Sequence, residues 1–410
     1  MTATTAKPTG PIPAAFVGQT PELHIAGRRA ADWAAAGTPV FVYDPAIVAG
    51  RVARFRTAFP DIDLHYAIKA NPLPDWLAAI APMMDGLDVA SAGELACALA
   101  VKPAAAISFA GPGKRDDELL VAIVGGVTLN LESEGEADRA LAIADTQGVR
   151  PRLAVRVNPD IELRGSGMRM GGRPSPFGID AARVPALVRR LVAAGADWRG
   201  FHVYAGSQAL SAEAVAETQG ATVALAARLA EAAGAAPPLV NLGGGFGVPY
   251  FAGDAPLDID AVGARLADAL AARPAILADS RFAIELGRWL VAEAGVYLAR
   301  VVDRKESGGE TFLIVDGGLH HQLAASGNFG TVVRRNYPLA VADRVGAAAE
   351  EVVSVVGPLC TPLDRLGDRV TLPRAEIGDL VAIFLAGAYG ATASPAAFLG
   401  HPPAREVVAR

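Results

Sequence analysis

Cysteine is nearly absent: Cys97 and Cys360 are the two thiols among 410 residues, and they lie far apart in the chain. A disulfide-framed scaffold is thereby excluded, and a reducing cytoplasm is the expected setting. There is no excess of basic charge. The net charge of −6 gives no footing for a nucleic-acid ligand or an anionic membrane surface. No apolar run approaches the ~18 residues of a membrane span. The opening stretch Met1–Thr20 is rich in Thr, Pro and Ala and lacks the charged-then-apolar order of a signal peptide. Internal repeats, low-complexity linkers and metal-ligand motifs are also missing, so no metal is expected.

What remains is a folded composition, just over half apolar and one fifth charged, long enough for two domains. The abundance of Ala, with Arg favoured over Lys, fits a high-GC coding bias and carries no function. From about Pro60, eight short apolar runs alternate with Ala/Leu-rich helical segments. The runs are 64–68, 87–90, 106–110, 127–131, 153–157, 200–204, 239–242 and 282–286. The helical segments are 74–81, 93–100, 115–123, 134–144, 181–194, 212–233 and 259–277. That alternation predicts an α/β chain with a (β/α)8 TIM barrel.

After Val291 the texture becomes β-rich, with strands expected at 296–302, 311–315, 351–356, 369–372 and 380–385 between Gly, Pro and Asp turns. The expected organisation is an N-terminal segment 1–44, a barrel 45–295 and a C-terminal all-β domain 296–410. The strand-like stretch Pro39–Tyr43 is expected to pair with the β-domain.

Candidate chemistry clusters at the ends of the apolar runs. Lys69 ends the first, where Pro72 stops regular structure. A partly desolvated lysine at a barrel mouth can form an imine, although a lone lysine at a strand end is far more often simply solvated. Gly243, Gly244 and Gly245 end the seventh run and expose backbone N–H groups suited to an anion. A flexible turn explains them equally well. Glu285 and Arg288 end the eighth, as a carboxylate and a cation that also read as an ordinary salt bridge. In the β-domain, turn-rich loops carry Cys360 and Tyr389. Cys97, inside an Ala/Leu helix, reads as inert core.

In this order the pieces resemble the fold-type III pyridoxal-phosphate decarboxylases, the group of diaminopimelate, ornithine and arginine decarboxylases. The resemblance runs from about Pro39 to Glu406. It also draws on the segments Gly86–Leu95, Arg156–Pro159, Phe177-Gly178 and Asp316-Gly317-Gly318. It implies pyridoxal 5'-phosphate as cofactor, with Lys69 as its Schiff-base lysine. Ser207, Gly243, Gly244, Gly245, Arg288 and Tyr389 match the groups that hold the phosphate. Glu285 matches the carboxylate that keeps the pyridine nitrogen protonated, and Asp88 and Arg156 match positions near the ring. Cys360 matches a thiol acting at Cα, delivered from the partner subunit of a head-to-tail homodimer with shared active sites. Thr361, Asp316 and Asp364 fall in the segments expected to meet substrate.

Three positions depart from the family pattern. Tyr204 stands where a stacking histidine is usual; it can still cover a ring face. Pro176 replaces a lysine before Phe177-Gly178. Thr361 replaces the acidic residue that binds the distal amine of the substrate. A buried ammonium without its carboxylate costs several kcal/mol, so this last change argues against ornithine, lysine and diaminopimelate.

The segments Asp316–Gly330 and Gly357–Asp364 resemble a narrower branch, which contains exosortase-associated decarboxylases and those acting on glutamate tethered to an acyl-carrier protein. The expected substrate is therefore an amino acid without a distal cation, free or carrier-tethered. Arg164, Arg169 and Arg173, in a Gly-rich loop at a barrel mouth, could meet an acidic carrier; a solvated loop is the plainer reading. The alternatives are meso-diaminopimelate decarboxylase, an alanine-racemase-like enzyme, and a non-catalytic pyridoxal-phosphate-binding protein. The racemase reading fits a thiol at Cys360 poorly.

Overall fold

The structure is a computed structural model that describes residues 5–18, 21–159, 168–169 (backbone), 174–327 and 334–410. Arg164 and Arg173 lie outside the described residues, as does the side chain of Arg169, and so do Asn328–Gly330 of the segment that begins at Asp316. The chain divides into two compact units: Arg51–Gly247 with Pro256–Gly287, and Met1–Gly50 with Val248–Ala255 and Arg288–Arg410.

The first unit is the expected barrel. Its strands are Asp63–Ala67, Gly86–Val89, Ile107–Phe109, Thr128–Leu131, Arg152–Asn158, Asp197–Val203, Leu239–Asn241 and Arg281–Leu286. Each runs parallel to the next, and the eighth closes on the first with Glu285 opposite His65. All eight apolar runs become strands, with ends displaced by a few residues.

The helices start where the sequence supplies a cap. Ser91, Ser133, Ser211 and Asp258 each accept from a backbone N–H three residues on, at 3.0–3.3 Å. The helix Pro45–Ala58 has no counterpart among the segments read from the sequence, because Gly50, Arg51, Arg54 and Arg56 break its apolar periodicity.

A buried ion pair fixes the loops after the third and fourth strands. Lys114 Nζ lies 2.6 Å from Glu136 Oε1 with both side chains almost fully enclosed. The ammonium also donates to Gly111 O (2.6 Å) and Asn130 O (3.0 Å). Glu136 Oε2 in turn accepts from Glu132 N at 3.1 Å. Burial pushes the lysine down and the carboxyl up, each opposed by the other's charge.

The second unit is mostly strand. Its sheet runs Leu339–Val341, Leu380–Ile383, Gly295–Ser307, Glu310–Val315, Glu351–Val356, Arg365–Leu372. Val40–Tyr43 pairs antiparallel with Gly295–Ser307 and parallel with Arg405–Val408. Val40, Val42, Val296, Leu298, Ala382 and Phe384 form its core with Phe16 and Leu23. The short strands Leu339–Val341 and Arg405–Val408 were not expected: one has three residues, the other a single β-branched pair after two prolines.

Because breaking a buried pair leaves one charge uncompensated, Lys114→Ala is expected to lower the unfolding free energy by about 3–5 kcal/mol in urea denaturation. A loss below about 1 kcal/mol would mean that Glu136 is satisfied without Lys114.

Candidate active site

Lys69 sits just past the first barrel strand, in the one-turn helix Ile68–Ala70, with its own side chain exposed and both neighbours buried. The turn is fixed from below: Tyr66 Oη donates to Asn71 O at 3.0 Å, and Asn71 Oδ1 accepts from Leu73 N at 3.2 Å. The Lys69 ammonium stands 5.7 Å from the centre of the Tyr204 ring. Tyr204 therefore turns an aromatic face toward the lysine, as a planar group between them would require.

Beneath this level the barrel is charged. Glu285 ends the eighth strand, buried, with Oε2 3.0 Å from His202 Nε2 and accepting from Asn241 Nδ2 at 3.2 Å. Burial alone would raise its pKa. The adjacent His202, with Lys69 and Arg156 farther off, reverses this and brings the carboxyl down to about 2. Glu285 is thus an anion held in the interior. Asp88 faces His65 Nδ1 at 3.4–3.5 Å. Arg156 Nη1 donates to Glu132 Oε1 at 2.7 Å and lies 5.0 Å over the Phe177 ring. Glu132 also accepts from Gly111 N (2.5 Å) and Gly178 N (3.1 Å).

The glycine loop after the seventh strand is shaped for close approach. Gly243 has φ +71°, and a Cβ there would stand 2.4 Å from Val203 O. At Gly244 a Cβ would stand 1.8 Å from Glu285 O. The Gly243 N–H is taken by Asn241 Oδ1 at 2.9 Å, whereas those of Gly244 and Gly245 have no partner among the described residues. Ser207 Oγ, just after the sixth strand, is likewise buried without a partner among them. Unpaired buried donors cost about 1–3 kcal/mol each. Two N–H groups and a hydroxyl without partners among the described residues, at the ends of neighbouring strands, are donors placed to receive an anion.

In the second unit, Arg288 opens the helix Arg288–Val291. Its Nη1 donates to Tyr250 Oη at 3.1 Å, and the guanidinium lies 4.7 Å from the Tyr389 ring centre. Burial works against its charge, but the surrounding phenols more than offset this and raise its pKa. Tyr389 adopts φ +54°, an uncommon conformation for a bulky residue. The Tyr337 ring packs against Tyr250 in a tilted arrangement, centroids 4.7 Å apart.

The loops expected to meet substrate are in the same unit. Cys360 is exposed, and Thr361 Oγ1 accepts from Leu363 N at 3.3 Å. Both carboxylates in these loops are committed. Asp316 accepts from Arg300 N (2.8 Å) and Thr38 Oγ1 (2.5 Å); Asp364 accepts from Leu319 N (2.6 Å) and Leu359 N (2.9 Å).

The residues read from the sequence thus fall into two sets. Lys69, Asp88, Arg156, Tyr204, Ser207, Gly243, Gly244, Gly245 and Glu285 converge at the C-terminal ends of the barrel strands. Arg288 and Tyr389 meet one another in the second unit, with Asp316, Cys360, Thr361 and Asp364 on its loops. The sequence reading missed His65, Glu132, His202 and Asn241, the charge and hydrogen-bond partners of the barrel set, and also Tyr250 and Tyr337. The signal for the first four was present, since each is a polar residue inside or just after an apolar strand. Among the described residues, no group of three or more His, Cys, Asp or Glu is arranged to hold a metal ion, and no helix is long and apolar enough to cross a membrane.

An exposed lysine facing an aromatic ring, a buried anion below it and a set of unpartnered donors fit pyridoxal phosphate: an aldehyde for the lysine, a protonated ring nitrogen for the anion, a phosphate for the donors. Comparison with known proteins agrees. Residues 46–292 match the family model described as pyridoxal-dependent decarboxylase, pyridoxal binding domain. The chain is 38% identical over 383 residues to an L-glutamyl-[BtrI acyl-carrier protein] decarboxylase of Niallia circulans, covering 91% of this chain and 89% of that one. It is 32% identical over 375 residues to a diaminopimelate decarboxylase of Archaeoglobus fulgidus, covering 91% and 88%. The crystal structure of a diaminopimelate decarboxylase from M. jannaschii superposes with a TM-score of 0.86 at 25% identity, over 98% of this chain and 93% of that one.

Gly244→Ala is expected to weaken pyridoxal-phosphate binding by about tenfold or more in an absorbance titration. Gly220→Ala, on the helix Ala212–Ala233 where the nearest atom lies 3.9 Å away, should leave it unchanged. Equal affinity in the two variants would contradict a phosphate held by these donors.

Proposed function

The chain belongs to the pyridoxal-dependent decarboxylases, and from that premise we propose that it removes the α-carboxylate of an amino acid lacking a second cationic end, presented as a thioester on an acyl-carrier protein. That it is a carboxy-lyase using pyridoxal 5'-phosphate follows from the family itself. The substrate is the added step.

One observation carries it. Thr361 is neutral where a diamine-specific site needs a carboxylate, and the carboxylates in the surrounding loops, Asp316 and Asp364, are both consumed by backbone N–H groups and Thr38. A distal ammonium brought to Thr361 would meet a neutral hydroxyl, and Asp316 and Asp364 could answer it only by sharing or giving up those hydrogen bonds, a cost that a carboxylate at position 361 would spare. An acyl thioester brings no such charge. The Niallia circulans relative, named for glutamate on a carrier protein, supports the same reading. Asp316 and Asp364 then bear on the substrate through the shape they impose on these loops.

In this reading Lys69 would hold the aldehyde carbon of the cofactor, Tyr204 would cover a ring face, and Glu285 would pair with the ring nitrogen. Within the barrel, Ser207, Gly244 and Gly245 would hold the phosphate. When bound, the cofactor supplies an electron sink for the pair left as CO2 departs. Cys360 is assigned delivery of a proton to Cα. Its exposure in the single chain suits a thiol presented to the partner in a homodimer. Arg156 and Asp88 keep the layer beneath the mouth charged and ordered.

The test is CO2 release from glutamate and from glutamyl-carrier thioester against meso-diaminopimelate. The tethered substrate should exceed diaminopimelate by about 100-fold in kcat/KM, or roughly 3 kcal/mol in transition-state binding. Turnover of diaminopimelate at an equal or greater rate would overturn the substrate assignment and leave the family intact.

A further inference from the structure

The barrel has a second opening, at the end opposite Lys69. A cavity of about 240 Å³ has Asp63 and Arg281, first residues of their strands, at its rim. Deeper, it is lined by His65, Asn130, Ala154 and Asn241. A barrel of this kind usually fills its axis with branched apolar side chains. Here His65, Ser108, Asn130 and Asn241 line the space together with Ile107, Phe201 and Leu239, which leaves room for several waters and polar groups to keep them.

Two of the lining residues also touch the charged layer above. His65 Nδ1 lies 3.4 Å from Asp88 Oδ2, an oxygen that is buried with no hydrogen bond among the described residues. Asn241 donates to Glu285 at 3.2 Å. The cavity thus reaches from the N-terminal face of the barrel to the direct neighbours of both buried carboxylates.

We propose that this cavity is a rear proton port, whose water exchanges protons with His65 and through it with Asp88. A hydronium ion in the cavity gives its proton to His65 Nε2 and becomes water. The Nδ1 proton then passes to the Asp88 carboxylate, leaving the imidazole as the other tautomer and moving one proton inward. Decarboxylation takes up one proton for each CO2 released, and the port gives the charged layer below the mouth its own proton exchange with solvent, separate from the proton that Cys360 delivers to Cα. A port at the far end does this while substrate fills the mouth. The inference goes beyond the substrate assignment and does not depend on which amino acid is used.

The groups facing His65 suit the role. Asp88 approaches from the second strand, Asp63 lies on its own strand, Glu285 faces it from the eighth, and Asp85 stands just before the second. Burial disfavours the imidazolium, but these carboxylates overcome it and hold the His65 pKa above the ordinary imidazole value.

Ala154→Cys tests the port. In the cofactor-loaded protein, peptide-resolved mass spectrometry should find the new thiol modified by methyl methanethiosulfonate within minutes and untouched by a bulky maleimide. The added methylthio group fills the cavity after folding is complete. In the modified protein, freed of cofactor, solvent exchange of the His65 N–H protons read by nitrogen-15 NMR should slow by about tenfold or more, against wild-type protein treated identically. Ala154→Val should give a smaller slowing of the same sign, and in the loaded enzyme should depress kcat at alkaline pH more than at acidic pH. A thiol that stays unmodified would overturn the port. So would modification that leaves His65 exchange unchanged, because protons then reach it by another route.

Discussion

A carboxylate kept ionised in the middle of a protein is the constraint around which the barrel is arranged. Desolvation drives a buried acid toward its neutral form, so Glu285 stays an anion only because His202 and Asn241 hold it and because Lys69 and Arg156 lie within electrostatic reach. The arrangement has a sign. A carboxyl whose pKa falls from 4.5 unfolded to about 2 folded adds stability above pH 4.5 and loses it as pH drops toward 2. Near neutrality Glu285 is fully charged, as a partner for a protonated ring nitrogen must be.

From that anion the rest of the interior follows. Among the described residues, further buried charges in the barrel have counter-groups of their own: Arg156 with Glu132, Asp88 with His65, Lys114 with Glu136. Leu64, Leu87, Phe109, Leu129 and Leu153, which alternate with the polar positions along these strands, are fully buried. The barrel therefore trades the usual apolar axis for a polar one, and helix packing outside supplies the stability that this interior does not. The donors without partners among the described residues, at Gly244, Gly245 and Ser207, are where a phosphate would restore the balance.

The fold was legible because its signal is local. Apolar β-branched runs, capped helix starts and glycine helix ends recur with the spacing of a β/α unit, and all eight barrel strands appear where those runs lie. The helix Pro45–Ala58 was hidden by Gly50 and three arginines, which interrupt its apolar face. Of the site, the residues proposed to hold the cofactor were readable as motifs at strand ends. The residues that tune them were not. His202 and Asn241 matter because they reach Glu285 from the sixth and seventh strands, a juxtaposition that exists only after the barrel closes. Tyr250 and Tyr337 are in the same position with respect to Arg288. Thr361, in contrast, is noticed from the sequence alone, because the resemblance assigns that position to substrate and a missing charge there needs no folded neighbour to be seen.

The central claim is that the Glu285 anion drives the chemistry rather than merely filling the barrel, and Glu285→Gln tests it most directly. The substitution keeps shape and hydrogen bonding while removing the charge. With cofactor occupancy measured by absorbance and held at saturation, single-turnover decarboxylation should fall by about 100-fold or more, on the order of 3 kcal/mol in the barrier. A fully loaded variant that decarboxylates within about threefold of the wild type, less than about 1 kcal/mol, would contradict the account.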